Sequence, residues 1–273
     1  PDTANDVLRC VRVDGSSYLI KSKSTSRTNY AIKTWSFWVK RSVLGTNFYM
    51  TGGFKSGDSN SFDIYFHTDD TFSTQWGGSS QLLNSTSAVF RDTSAWYHIF
   101  VSKNGSSQSF YINGISLYLA TTNTTSSSVA FAESGISVTG NYGSFIGGGG
   151  FGGATQNRIS GYIAEYNFID GQALLPTDFA YYDTSTGQWK PKAYAGTYGA
   201  NGFYLPMRVG QYTQDETAKL NWELDILDVG SYGATWRRLN ATSDSMLVSI
   251  RGDHLTSNAV SYTHLTLPTK RIV

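Results

Sequence analysis

Between Tyr18 and Phe168 the chain is built from short runs in which every second residue is apolar, separated by clusters of Gly, Asn, Ser and Asp, and it shows almost no helical periodicity. A period of two places alternate side chains on opposite faces of an extended strand, so these runs read as half-buried strands rather than helices. In Thr34 to Ser42, Trp35, Phe37 and Val39 fall on one face and Ser36, Trp38 and Lys40 on the other. Phe62, Ile64 and Phe66 repeat the pattern, with Asp63, Tyr65 and His67 opposite. Tyr97, Ile99 and Val101 lead to Asn104-Gly105, then Phe110 and Ile112 to Asn113-Gly114, then Ile115, Leu117 and Leu119. Asn-Gly is a strong hairpin signal because both residues tolerate the positive φ of a type I′ turn, so this block reads as a three-stranded antiparallel meander. A long strand is expected from Arg158 to Ile169, followed at Leu175 to Phe179 by a short helix with Pro in its first turn. Many strands without intervening helices imply an all-β sandwich or barrel.

Composition narrows the function classes. With 273 residues the chain holds one large or two modest domains, and only 15% of it is charged while 15% is aromatic. A net charge of +1 provides no positive field for nucleic acid or an anionic membrane surface. No apolar run is long enough for a membrane-spanning helix. Cys10 is the single cysteine, which excludes an intrachain disulfide and a multi-cysteine metal site. The first residues, Pro1 to Asn5, lack the pattern of a signal peptide, and the absent initiator Met reads as a processed chain or a fragment. The run Gly147 to Gly153 is not a phosphate loop, since no Lys-Ser/Thr pair closes it and no helix follows.

Three segments, in this order, resemble the laminin-G-like, concanavalin-A-type lectin superfamily: Trp35-Ser36-Phe37-Trp38-Val39-Lys40; Trp96-Tyr97-His98-Ile99-Phe100-Val101 with Phe110-Tyr111-Ile112-Asn113-Gly114; and Gly161-Tyr162-Ile163-Ala164-Glu165-Tyr166. Ala164 and Asn113 stand where the family pattern has Asp. The resemblance implies a two-sheet antiparallel jelly-roll sandwich over residues 1–182. The following stretch, Trp189 to Leu205, resembles the segment after such a domain in structural proteins of marine tailed bacteriophages, so residues 183–207 read as a phage-type extension. Residues 208–273 carry no assignment, and Ser261 to Arg271 resembles a translated sequencing adapter, so 261–273 is expected to be artefactual and the residues beyond about Ser257 to pack onto nothing. The resemblance implies a non-catalytic, lectin-like module of a phage virion, in a tail fibre, appendage or capsid decoration. Its expected partners are glycans or neighbouring subunits, with homo-oligomerisation open. A laminin-G-like adhesion module of a secreted bacterial surface protein is the alternative, and a glucanase the third.

Hydrolysis needs two carboxyl groups at a defined separation. The glutamates are Glu133, Glu165, Glu216 and Glu223, all isolated, and the resemblance implies that Glu165 is a structural acid bonded to a neighbouring loop rather than a general acid. His67 and His98 have no nucleophile-base arrangement near them in sequence. For carbohydrate, Trp76, flanked in a loop by Gln75 and the Gly77-Gly78 pair, reads either as an exposed stacking platform or as an edge-strand core residue, and Gln75 and Tyr65 are candidates with it. No organic cofactor is expected. The resemblance implies calcium at the sandwich rim, for which Asp58, Asn60, Asp69 and Asp70 offer oxygen ligands, and ordinary turn capping by these same residues is the preferred reading. Arg251-Gly252-Asp253 and the Asn-x-Ser/Thr sites at Asn84, Asn104, Asn123 and Asn240 are chance products of composition.

Overall fold

The computed structural model describes residues 10–15, 17–21, 31–54, 62–76, 82–105, 107–118, 143–148, 158–205 and 222–226. They form a two-sheet antiparallel jelly-roll sandwich. Sheet I contains, in spatial order, β1 (Val11–Asp14), β12 (Ser160–Asp170), β3 (Ile32–Arg41), β8 (Tyr97–Asn104), β9 (Ser107–Ile112) and β10 (Ile115–Ser116). In the same sheet β15 (Phe203–Leu205) pairs with Tyr166–Phe168 of β12, beyond the residues that pair with β1. Sheet II runs β16 (Trp222–Ile226), β2 (Ser17–Lys21), β11 (Gly143–Ile146), β4 (Phe48–Phe54), β5 (Phe62–Phe66), β6 (Thr71–Trp76) and β7 (Leu82–Val89). A separate hairpin joins β13 (Ala180–Asp183) to β14 (Gln188–Pro191). It follows a single 3-10 turn at Pro176–Asp178, where Asp178 accepts a hydrogen bond from the Leu175 N–H.

The core lies between the sheets. Trp35, Phe37 and Val39 from β3, Ile99 and Val101 from β8, and Phe110 and Ile112 from β9 face Phe48, Met50, Phe62, Ile64, Phe66 and Phe72 of sheet II. The period-two reading of these strands therefore holds residue by residue. The expected meander forms, with one shift in its first turn. Asn104 pairs with Ser107, so it belongs to the strand and Gly105, at φ +61°, opens the turn. The second turn is as expected, with Asn113 at φ +51° and Gly114 at φ +75°.

Two features were not visible in the pattern. In β12 the pairing with β3 slips between Ala164 and Asn167, and Glu165 takes φ +47°, a bulge that reverses which parity faces the core. Ile163 faces inward before it, Tyr166 and Phe168 after it. Tyr166 then reaches across the sandwich and donates to Thr51 Oγ1 (2.8 Å), whose own hydroxyl donates to the Phe145 carbonyl (2.7 Å). The second feature is β15, whose Phe203 and Leu205 are buried in the core, so sheet I runs past the boundary expected near Tyr182. β16, in the stretch left unassigned, also pairs, antiparallel to β2. The rest of 208–273, including the adapter-like 261–273, lies outside the described residues.

One end of the core is closed by an ion pair. Arg41, at the inward end of β3, is fully buried with its guanidinium 4.7 Å from the Phe66 ring centre and 5.5 Å from that of Phe48. It donates to Asp70 Oδ1 (2.8 Å) and to the Phe90 carbonyl (2.6 Å), tying sheet I to the turn between β5 and β6. We expect Asp70→Asn to cost about 3 kcal/mol or more, because it leaves a buried guanidinium without its counter-charge. Thermal unfolding would show this as a loss of roughly 6 °C or more for a domain of this size, and an unchanged melting temperature would refute it. Ile112→Asp, which forces a carboxylate into the core, should abolish cooperative folding; a soluble variant with a sharp melt would show that this face of β9 is not core.

Candidate functional site

Of the residues singled out for calcium, Asp69 and Asp70 are described, and each is engaged within the protein. Asp58 and Asn60 lie outside the described residues. Asp69 Oδ1 accepts from the Thr71 N–H (3.0 Å) and hydroxyl (2.7 Å), an Asx-type turn, with His67 Nδ1 at 3.3 Å. Asp70 is committed on both oxygens, Oδ1 to Gly45 N–H (3.0 Å) and Arg41, Oδ2 to Arg91 Nε (2.9 Å). Burial by itself would raise its pKa, but these bonds and the Arg41 charge hold it below the ordinary carboxylate value. A cation placed there would face both arginines, so Asp70 does not fit as a ligand. Among the described residues no group of three or more His, Cys, Asp or Glu side chains is arranged to hold a metal.

Of the carbohydrate candidates, Tyr65 and Gln75 lie on sheet II, on the face opposite the core. Tyr65 stacks on Tyr49, ring centres 4.4 Å apart and nearly parallel, and Asp63 sits opposite Gln75 in the β5–β6 register. This face is closely covered: Tyr65 is 3% exposed and Gln75 9%. Burial, with Asp63 nearby, pushes the Tyr49 hydroxyl up to about 12, and Tyr65 is raised as well. Trp76 is not in a loop but closes β6 opposite Phe62; its side chain lies outside the described residues. Glu165 accepts a hydrogen bond from the Tyr204 hydroxyl of β15.

An open, aromatic site lies elsewhere, on the outer face of sheet I. The segment 172–200 folds across this face, which carries Ser36 and Trp38 from β3, His98 and Phe100 from β8, and Ala164 and Ile169 from β12. Phe179 and Tyr194 pack on Phe100, while Ala180 and Trp189 pack on Trp38 and Ala164. Where the β13–β14 hairpin meets the turn after β9, a cleft of about 420 Å³ remains, lined by Trp38, Trp96, Trp189, Asn113, Gln188, Lys190 and Pro191.

Each wall is fixed by an identifiable contact. Trp189 donates its indole N–H to His98 Nδ1 (3.0 Å), and His98 Nε2 lies 2.8 Å from Ser36 Oγ. An indole N–H only donates, so Nδ1 is the acceptor and the proton of the neutral ring is on Nε2. Trp38 lies on the His98 ring, centres 5.0 Å apart. Asn113 Oδ1 accepts from the His98 backbone N–H (2.7 Å), which orients the Asn amide at the cleft edge. Trp96 packs edge-on against Tyr162 at 6.4 Å. Lys190 is paired with Asp183 (3.0 Å), so the charged group among the described lining residues is already compensated. Of these residues the sequence reading had placed Trp38 on the correct outward face, but it assigned none of them to a site. Their stretches are far apart in the chain, and only the covering segment brings them together.

No protein-family model and no curated protein matches the chain. Solved structures give fold likenesses only. A Bacteroides ovatus protein assigned as carbohydrate-binding aligns at TM-score 0.48 and 14% identity, over 79% of this chain and 61% of its own length. Mouse laminin α1 domains LG4–5 align at 0.44 and 14%, over 60% and 44%. Domain 4 of AbnA, an extracellular arabinanase of Geobacillus stearothermophilus solved with arabinotriose, aligns at 0.42 and 21%, over 62% and 73%. The chain thus spans less than two thirds of the first two.

Gly114 tests the cleft geometry directly. A Cβ there would sit 3.0 Å from the Trp189 ring, on a backbone at φ +75°. Gly114→Ala should cost about 1–2 kcal/mol from the left-handed backbone alone and should displace Trp189, changing the tryptophan near-ultraviolet circular dichroism. An unchanged spectrum would mean that the turn and the indole are not in contact.

Proposed function

We propose that this chain is a non-catalytic, lectin-like module that binds a neutral glycan in the tryptophan cleft. The observation that carries the reading is the lining itself: three indoles converge on a cleft with the amides of Asn113 and Gln188 at its edges. Indole faces pack against the C–H face of a pyranose, while amides match sugar hydroxyls as both donors and acceptors. The volume lies within the range of about 300–1,000 Å³ typical of small-molecule pockets and leaves room for a short saccharide. Because Lys190 is neutralised by Asp183, the site favours a neutral sugar over a sialic or uronic acid. Among the described residues no carboxylate lines the cleft, which speaks against the acid and base that glycoside hydrolysis requires.

Display on a tailed-phage virion is the second part of the proposal. It is supported by the resemblance of Trp189 to Leu205 to phage structural proteins; a bacterial surface protein is the alternative. Terminase, portal or capsid genes beside the coding sequence would support the virion, and a secretion signal in a complete reading frame would overturn it.

Screening against an array of neutral glycans should give binders, and Trp96→Ala should weaken the best of them at least tenfold without unfolding the protein. Glu165→Gln should leave binding unchanged. Absence of any neutral ligand, or indifference to Trp96→Ala, would overturn the reading, as would release of reducing ends from β-glucans.

A further inference from the structure

We infer that His98 is the positioning residue of the cleft and makes it acid-sensitive: its neutral ring holds the Trp189 wall through Nδ1, and protonation of Nδ1 releases that wall and the bound sugar together. This rests on the reading of the cleft as the glycan site, but the latch itself has a signature that needs no ligand.

The geometry leaves His98 no protonated alternative. Three of the cleft's lining residues are set by this one residue: Trp189 by the ring nitrogen, Trp38 by ring contact, and Asn113 by the backbone N–H. When a solvent proton adds to Nδ1, two N–H donors face each other across 3.0 Å and the Trp189 bond cannot form. Nε2–H already serves Ser36, so the ring cannot answer by changing tautomer.

Among the described residues no charged neighbour offsets the imidazolium. On β3 the ring faces Ser36 and Trp38, with Lys40 further along that face; from the turn after β9 it meets Asn113; from the hairpin it meets Trp189, next to Lys190, whose partner is Asp183. Tyr111 of β9 packs on Phe100. His98 is fully buried, and burial holds its pKa at about 3, against an ordinary 6.5. Raising the hairpin returns the ring to water and to its ordinary value. The released form binds the proton that the latched form refuses, so latching is favoured above the ordinary pKa and weakens as pH falls below it. Between pH 7 and pH 5 the ratio of released to latched protein should rise about 25-fold.

The test uses the intact protein. The Trp189 indole N–H resonance and amide exchange of Ala180–Pro191 are followed from pH 7 to 4.5, with Phe62–Phe66 of sheet II as reference, alongside affinity for the best neutral glycan. The expected result is selective loss of the indole signal and faster hairpin exchange, with affinity falling in parallel. This response should persist in His67→Gln, which removes the other described histidine. His98→Asn places a non-titrating acceptor near the position of Nδ1 and should flatten the pH profile. Should that variant fail to fold, the wild-type indole and exchange data still decide. A pH-independent indole signal, equal acceleration in both sheets, or a released hairpin with undiminished affinity would each overturn the inference. If no sugar binds at any pH, the glycan reading fails, while the latch stands or falls on the indole signal alone.

Discussion

Strands β3 and β8 are buried on both faces, and that constraint organises most of what lies around them. Between the charged residues at the strand ends their inward side chains are apolar and need only the opposite sheet. Their outward side chains include Thr34, Ser36, His98 and Ser102, all nearly or fully inaccessible to water. Polar groups buried without partners cost about 1–3 kcal/mol each, so a cover over this face must supply hydrogen bonds as well as apolar surface. The segment after β12 does both. Thr34 Oγ1 donates to the Gln172 carbonyl and accepts from the Leu174 N–H, and Trp189 bonds His98, while Phe179 and Tyr194 cover Phe100. What looks in sequence like an extension is therefore a third layer, required by the polarity of the strands beneath it.

The inward face of the same strand shows the complementary problem. It begins at Lys33 and ends at Arg41, both fully buried, so charge closes the core at each end of β3. At the Arg41 end the solution is Asp70, held at φ +67° in its turn, with Arg91 on its second oxygen. That arrangement explains why an acidic pair in a rim loop is not by itself a calcium signal. The carboxylate that would have to serve the ion is already consumed by an inter-sheet bond, and its release would expose a guanidinium inside the core.

How far the sequence could be read follows from which of these constraints are local. Alternation and Asn-Gly turns act over a few residues, so the central strands, the face each residue takes and the meander were legible, and so was the architecture. The Glu165 bulge was not, because one residue at positive φ leaves no compositional trace when it is not Gly or Asn. Strands β11, β15 and β16 were missed because three to five residues barely establish a period. For the site, Tyr65 was placed opposite the core face and Gln75 in a loop, and alternation says only that a side chain leaves the core. It does not say whether water or another layer awaits it. The tryptophan cleft depends on that missing information, since Trp38, Trp96 and Trp189 come from three stretches that meet only once the cover is in place.

The same cover also explains why the cleft opens where it does. The hairpin meets sheet I beside a turn whose second residue is Gly114, and Trp189 lies directly over that glycine. A side chain there would push the indole away from His98; without one, the indole settles onto the turn and its N–H reaches the imidazole. The turn is thus shaped twice, by the backbone conformation that reverses the strand and by the space that the indole needs. Asn113, before it, contributes its amide to the cleft while its own N–H closes on the His98 carbonyl (3.0 Å). One two-residue turn therefore links the register of β8 and β9 to the position of two cleft walls. Changes to the site in this part of the molecule must then be changes to the fold, and the walls that can vary independently are Trp96 and Gln188.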